Sequence, residues 1–364
     1  MSFKIIKIIG DGFMKNSIVI NGREFEFQQG KTILEIAEAN GIHIPTLCHL
    51  KGLTPTGACR VCVVEVEKAR SLLASCCTPA ASGMVVLTDS PKVVASRKTI
   101  IELLFASGRH DCILCSACGD CTLQELAMEY QINLERFSKT TSPYPMELAN
   151  PMIVRDFSKC ILCGRCVQAC NETQVNEAIN FGYRGKESKI VAAGDRPLFD
   201  SECVFCGECI QVCPVGALVE KKAPRTLRSW ETEKIRTTCP YCGVGCQQLL
   251  HVKDGKIVKV TGVEDAEPNK GRLCVKGRFG YDFIYSEDRL KTPLIKENGQ
   301  FREASWDEAL DLVATKFKEI IAAHGPDALA GVSCARSINE DSYNMQKLFR
   351  AAIGTNNIDH CART

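Results

Sequence analysis

The sequence has no run approaching ~18 consecutive apolar residues, so it offers no membrane-spanning helix. The opening stretch MSFKIIKIIGDGF has no apolar region followed by a small-residue cleavage site. That argues against export by a signal peptide and for a cytoplasmic chain. Charge of either sign is not in surplus. Lys and Arg total 45, Asp and Glu 43, and the formal net charge is +2, which gives nucleic acid nothing to bind. No G-x-G-x-x-G follows a strand-like run in residues 1–290, so no nicotinamide dinucleotide site is legible there.

Cysteine is what the sequence has in quantity. There are 23 in 364 residues. An odd count, with no leader and a chain long enough for a proper core, argues against a disulfide framework. All but Cys334 and Cys361 fall into groups: Cys48/Cys59/Cys62/Cys76/Cys77, Cys112/Cys115/Cys118/Cys121, Cys160/Cys163/Cys166/Cys170, Cys203/Cys206/Cys209/Cys213 and Cys239/Cys242/Cys246/Cys274. Such grouping is metal chemistry. A cluster held by four thiolates carries negative charge overall, so the loaded chain is expected to be clearly negative.

The third and fourth groups repeat C-x2-C-x2-C-x3-C, with Pro214 behind the second and Asn171 behind the first. This is the bacterial ferredoxin run, whose fourth cysteine serves the other cluster. The expected ligand sets are Cys160, Cys163, Cys166 and Cys213 for one [4Fe-4S] centre. Cys203, Cys206, Cys209 and Cys170 hold its partner. Gly164 and Gly207 let the backbone wrap closely. Zinc fits two identical four-cysteine runs poorly. The stretch FGYRGKESKIVAAGD between the runs reads as a surface insertion.

The first group is spaced C-x10-C-x2-C-x13-C through Cys48, Cys59, Cys62 and Cys76, the style of a plant-type [2Fe-2S] site. SIVINGREFEF predicts a hairpin turning at Asn21-Gly22. TILEIAEANG predicts a helix capped by Thr32 and Glu35 and ended by Gly41. Hairpin, helix and cysteine loop make a β-grasp ferredoxin. Cys77 reads as a spare buried thiol or a substitute for Cys76, and His43 and His49 as structural. In the second group, Cys112, Cys115 and Cys121 leave a fourth place. His110 is the favoured fourth ligand and Cys118 the alternative; a structural zinc is the other reading. Thr122 and Glu125 resemble a capping box opening a helix.

The fifth group, CPYCGVGC followed by GRLCVKG, offers Cys239, Cys242, Cys246 and Cys274 for a [4Fe-4S] centre in a small sheet domain, with strands flanking Asp254-Gly255. Zinc is the alternative from spacing alone. Beyond it, Ser305 and Glu308 open an amphipathic helix, PDALAGVS supplies a strand, and Ser337 and Glu340 open a second helix ended by Gly354. Helix, strand, helix is the start of an α/β unit.

These motifs give the chain a resemblance to the N-terminal half of the large subunit of cytoplasmic multi-cluster formate dehydrogenases, in the molybdopterin oxidoreductase family. Its front also resembles the large iron–sulfur subunit of complex I and the front of iron-only hydrogenases. Those relatives carry three residues between the histidine and the first cysteine of the second motif, whereas here only Asp111 intervenes. The resemblance implies an α+β multidomain chain: a [2Fe-2S] β-grasp ferredoxin at 14–92, a His/Cys [4Fe-4S] domain at 93–140, a two-[4Fe-4S] ferredoxin fold at 150–223, a β-rich [4Fe-4S] domain at 232–288 and the start of a molybdopterin domain at 289–364. One [2Fe-2S] and four [4Fe-4S] centres amount to roughly 18 irons. It further implies that Lys276, directly after the Cys-Val pair, relays electrons between cubane and pterin, and that Arg363 contacts pterin. Cys361 reads as a packing residue.

In that family a motif like GTNN-(V/I)-D-x-CAR-x is followed directly by the selenocysteine or cysteine that ligates molybdenum or tungsten. GTNNIDHCART occupies 354–364 here. The resemblance therefore implies that the next codon is UGA, with a split subunit as the alternative. The longer protein would hold Mo or W on bis-molybdopterin guanine dinucleotide and interconvert formate and CO2. This chain alone would carry electrons without oxidising formate. The implied partner is a diaphorase-type subunit, a ferredoxin or a hydrogenase, with no nucleic acid and no membrane span. A different molybdopterin oxidoreductase, a subunit for hydrogen-linked CO2 reduction and a stand-alone electron carrier are the alternatives.

Overall fold

The computed structural model describes residues 16–361; position 14 and Arg363 lie outside them. The chain is α+β and multidomain, and it separates into two bodies. One runs to Cys203 and takes in Val212–Val219 and Arg225–Ser229; the other holds Val204–Gln211, Glu220–Pro224 and the chain from Trp230. Among the described residues no helix is long and apolar enough to cross a membrane.

In the first body, β1 (Asn16–Ile20) and β2 (Arg23–Phe27) form the expected hairpin, with Ile20 opposite Arg23. Asn21 and Gly22 both have positive φ, 50° and 78°, as a type I′ turn demands. Asn21 also trades hydrogen bonds with Thr88, which ties the turn to the end of β1's other neighbour in the sheet. α1 (Ile33–Ala39) starts where predicted. Glu35 N donates to Thr32 Oγ1 and Thr32 N donates to Glu35 Oε2, completing the capping box. With β3 (Val63–Val66), β4 (Leu73–Ala74) and β5 (Val85–Leu87), the strands make one sheet in the order β2-β1-β5-β3-β4. Only the β1–β5 pair in it is parallel. Ile18, Ile20, Ile33, Leu34, Val64 and Val86 close the core between sheet and α1.

α2 (Pro91–Ala106), capped by Ser90, buries Val93, Arg97, Ile101 and Phe105, one residue every turn. Arg97 is therefore a guanidinium in an apolar stripe. It donates to the carbonyls of Val61 (3.0 Å) and Val63 (2.8 Å) and to the Tyr130 hydroxyl (3.1 Å). The two carbonyls flank Cys62, so Arg97 clamps the cysteine loop from behind. Arg97→Ala would leave three buried acceptors open. It should cost about 3 kcal/mol or more. The visible circular dichroism of the [2Fe-2S] centre should then fade at lower denaturant than in wild type, and an unchanged midpoint would contradict the clamp.

α3 (Thr122–Glu129) forms as expected, but its start differs. The N-cap is Cys121, with no side-chain cap bond. Thr122 is already helical and its N–H is taken by the Pro214 carbonyl at 3.0 Å, so it cannot serve as the cap. The supposed surface insertion is an ordered hairpin, Ile179–Gly182 paired with Lys189–Ala192, and Ile190 and Ala192 are buried. Lys189 anchors it, with its ammonium 4.1 Å from the Tyr144 ring centroid and 2.8 Å from Asp195.

In the second body, Gln247–Lys253 and Lys256–Gly262 pair around Asp254-Gly255 as predicted, and Glu233–Thr238 adds a third strand. The helix Trp306–His324 begins with Ser305 accepting from Glu308 N. The next helix, Asn339–Lys347, is capped at Ile338 and not by Ser337. The Ser337 hydroxyl donates instead to the Cys334 carbonyl at 2.7 Å. The helix widens into a π turn at Leu348–Ile353 and stops at Gly354 (φ 88°). Strand Gly331–Ser333 then pairs in parallel with Ile358–His360.

Candidate electron-transfer centres

Four sulfurs of the first group converge. Cys62 and Cys76 lie 3.3 Å apart, Cys59 N donates to Cys48 Sγ at 3.4 Å, and Cys48 also meets the sulfurs of Cys59 and Cys76. The Cys48 and Cys62 thiols are held below the ordinary value by neighbouring thiols that donate to them, Cys62 at about 6. Cys76 is pushed up by the same crowding. Cys76 is buried, whereas Cys77 is exposed, with its sulfur 3.5 Å from that of Cys76. The expectation of a buried spare thiol at 77 is corrected. The two cysteines sit in a turn just after β4, where Cys77 reaches the surface while its sulfur stays against that of Cys76.

In the second group, His110, Cys112, Cys115, Cys118 and Cys121 all line one cavity. Burial pushes the Cys121 thiol up to about 11 and raises Cys112 as well. The His110 ring packs edge-on against Phe105 at 5.2 Å, and its Nε2 is buried with no hydrogen-bond partner. A buried ring nitrogen left open beside thiols fits a metal ligand. Cys118 is engaged differently, accepting from Gln124 Nε2 at 3.5 Å. Gly216 is also part of this wall, because a Cβ there would stand 2.5 Å from Cys115 Sγ.

In the third group, Cys160 and Cys163 are pushed up by burial to about 11 and about 12, and each is raised further by the sulfur of Cys213. The fourth cysteine of the second run thus lies beside the first two of the first run. Gly164 takes φ 78°, and a Cβ there would press to 3.0 Å from the Phe181 ring. Buried thiols so reluctant to ionise become thiolates only against a strong cation, which is what iron provides. Of the partner set, Cys170 and Cys203 belong to the first body and Cys206 and Cys209 to the second.

A single apolar core in the first body joins these groups. Leu47, Val61, Ile101, Phe105, Leu123, Ile161 and Val215 pack with Cys48, Cys59, Cys112, Cys121, Cys160, Cys163 and Cys213. Cysteines of four groups therefore share one apolar interior.

In the second body, burial and then the nearby sulfurs of Cys242 and Cys274 raise both the Cys239 and Cys246 thiols, and Cys239 N donates to the Cys246 carbonyl at 2.8 Å. Cys274 caps the short helix Val275–Phe279. Lys276 is exposed, with its ammonium 5.9 Å from the ring centroid of Tyr241, inside the cysteine run. Arg278, on the same helix, is buried. It donates to the Cys206 carbonyl (2.8 Å), Gln211 Oε1 (2.9 Å) and Glu208 Oε2 (3.2 Å). It thereby fastens the helix after Cys274 to the loop carrying Cys206 and Cys209. Neither this role nor that of Arg97 was foreseen. For Arg97 the signal was present, a cation at the apolar spacing of α2. For Arg278 it was absent, since every partner is some 70 residues away.

Nearby, Tyr281 donates to Glu220 Oε1 at 2.8 Å, and burial pushes that carboxyl up to about 7. The neutral acid is thus the form the fold favours. Its contribution is complete below the ordinary value near 4.5 and is lost as pH rises through about 7. Between those limits wild type should lose up to about 3 kcal/mol that Glu220→Gln keeps. Denaturant titrations at several pH values check this, and parallel profiles would refute it.

The sequence matches known families in five successive segments between residues 15 and 364. Residues 15–91 match a 2Fe-2S iron-sulfur cluster binding domain, 97–136 the NADH-ubiquinone oxidoreductase-G iron-sulfur binding region and 159–217 a 4Fe-4S dicluster domain. Residues 232–286 match the molybdopterin oxidoreductase Fe4S4 domain and 289–364 the molybdopterin oxidoreductase family itself. The chain belongs to the molybdopterin oxidoreductase family. It is a multi-cluster member, with one 2Fe-2S and several 4Fe-4S domains in series.

This oxidoreductase chain is 40% identical to the NADPH-Fe(3+) oxidoreductase subunit alpha of Geobacter sulfurreducens, over 95% of its own length and 40% of the relative's. It is 33% identical to the putative formate dehydrogenase YrhE of Bacillus subtilis, over 95% and 40%. A chain of an NAD+-reducing [NiFe]-hydrogenase, solved in the H2-reduced state, aligns with TM-score 0.55 and 35% identity, covering 59% of this chain and 91% of that one. The chain spans about 40% of the length of the curated relatives it matches.

Proposed function

We propose that this chain is the electron-conducting module of a nicotinamide-linked molybdopterin-family oxidoreductase. It would pass single electrons between a partner subunit that handles NAD(P)H and a second redox site. The shared apolar core around cysteines of four groups carries this reading, because a dry, rigid path between centres is what electron transfer requires and a structural metal does not. The nicotinamide link rests on two of the relatives, whose names specify NADPH and NAD+.

The ligands proposed are Cys48, Cys59, Cys62 and Cys76 for [2Fe-2S]; His110 with Cys112, Cys115 and Cys121, or Cys118 in place of His110; the crossed sets Cys160/Cys163/Cys166/Cys213 and Cys203/Cys206/Cys209/Cys170; and Cys239/Cys242/Cys246/Cys274. The open Nε2 favours His110. When bound, the clusters supply reversible one-electron chemistry. The chain's own part is to exclude water, hold each sulfur and set each potential.

Anaerobically purified protein should contain roughly 18 irons with matching acid-labile sulfide. Its reduced EPR signals should appear with NAD(P)H only when a flavin-bearing diaphorase subunit is present. Stoichiometric zinc without sulfide would end the proposal.

Formate oxidation at a Mo or W pterin site of the longer protein is the second reading. It is favoured by the CPYCGVGC…GRLCVKG segment, with Lys276 on the edge of that centre as an electron relay, and by the relative named a putative formate dehydrogenase. Formate reducing the clusters of metal-loaded, full-length protein would support it; reduction by NAD(P)H and diaphorase alone would leave the first.

A further inference from the structure

Cys334 and Cys361 stand outside every cysteine group, and the fold brings them together. Cys334 directly follows strand Gly331–Ser333, and Cys361 directly follows Ile358–His360. The strands are parallel with Ser333 opposite His360, so the two cysteines are the next pair in register. Paired strands lie about 4.8 Å apart, inside the Cα separation of roughly 4.4–6.8 Å that a disulfide spans. The sulfurs approach to 3.6 Å.

Both sulfurs have close polar neighbours, and those of Cys361 favour its thiolate. Arg336 N donates to Cys334 Sγ at 3.4 Å. The Ala335 N–H faces the Cys361 sulfur and lowers that thiol from its ordinary value, helped by the Cys334 thiol and the Arg336 cation. Cys361 is exposed, so a small reagent reaches it; the expectation that it is a packing residue is corrected. It directly follows the carboxyl end of strand Ile358–His360.

We propose that Cys334 and Cys361 form a redox-active dithiol that closes reversibly to an intramolecular disulfide. The Cys361 thiolate attacks one sulfur of a low-molecular-weight disulfide such as glutathione disulfide, and one glutathione thiolate leaves. Cys334 then loses its proton and attacks the Cys361 sulfur of the mixed disulfide, releasing the second thiolate. Two protein thiols are oxidised and one small disulfide is reduced to two thiols. The bond staples the carboxyl ends of two parallel strands, the edge at which open α/β sheets hold ligands. The proposal uses neither the cluster ligands nor the electron-transfer reading.

The test is anaerobic equilibration of the full chain in glutathione buffers of graded ratio, followed by alkylation, digestion and mass spectrometry, with iron measured alongside. A Cys334–Cys361 linked peptide, lighter by two hydrogens, should appear in protein that keeps its full iron. C334S should instead stop at a glutathione adduct on Cys361. Free thiols at both positions across the series would overturn the proposal. So would adducts without the linked peptide, or a linked peptide found only where iron has been lost.

Discussion

The double variant C160S/C213S should lose about four irons, no more than C160S alone, whereas C160S/C203S should lose about eight. The contrast comes from crossed ligation. Cys160 and Cys213 are 53 positions apart, one in each run. Yet burial and the nearby sulfur of Cys213 together raise both Cys160 and Cys163, and the three pack into one apolar cluster. If two residues serve one cubane, removing the second adds nothing, because the cage is already gone. If each run served its own cubane, C160S/C213S would strip both. Iron and sulfide analysis, with spin quantitation of the reduced EPR spectrum, separates the two. A loss near eight irons for C160S/C213S would sink the crossed assignment.

The second large effect is expected at Gly207. Its φ is +72°, and a Cβ there would stand 2.3 Å from Arg278 Cδ and 2.8 Å from both Arg278 Nε and the Phe279 ring. Neither neighbour has room to withdraw. Arg278 is held by three hydrogen bonds, and Phe279 is buried. Gly207→Ala therefore adds left-handed strain to a clash with two held side chains, about 3–5 kcal/mol together. Arg278→Ala should be comparable, about 3–5 kcal/mol, because it leaves Glu208 buried without its cation. Denaturant unfolding followed by far-ultraviolet circular dichroism reads both. A Gly207→Ala protein within about 1 kcal/mol of wild type would mean that the packing against Arg278 is looser than described.

Local signals were legible wherever one residue type meets one backbone demand. Asn21-Gly22 and Asp254-Gly255 mark turns because their positive φ is cheap for those residues. Thr32 with Glu35, and Ser305 with Glu308, mark helix starts because the cap bonds close within three residues. The same rule misled at Thr122 and Ser337. Each has an acid three positions on, but a competing acceptor decided the cap: the Pro214 carbonyl in one case, the Cys334 carbonyl in the other. The strands Glu233–Thr238 and Ile358–His360 were invisible for a related reason. Both are short and largely exposed, so they carry no apolar alternation and exist only by pairing with a neighbour.

The amino-acid sequence by itself determined the grouping of the cysteines, the number and kind of centres they imply and the order of domains along the chain. Those properties follow from spacings of a few residues, over which the backbone has little freedom. Tertiary structure alone decided which distant groups meet: Cys213 with Cys160 and Cys163, Arg97 behind Cys62, Arg278 beneath Cys206, and Cys334 against Cys361. Such contacts join residues some 27 to 72 positions apart. They are set by which faces bury together, and that depends on the packing of the whole body around them.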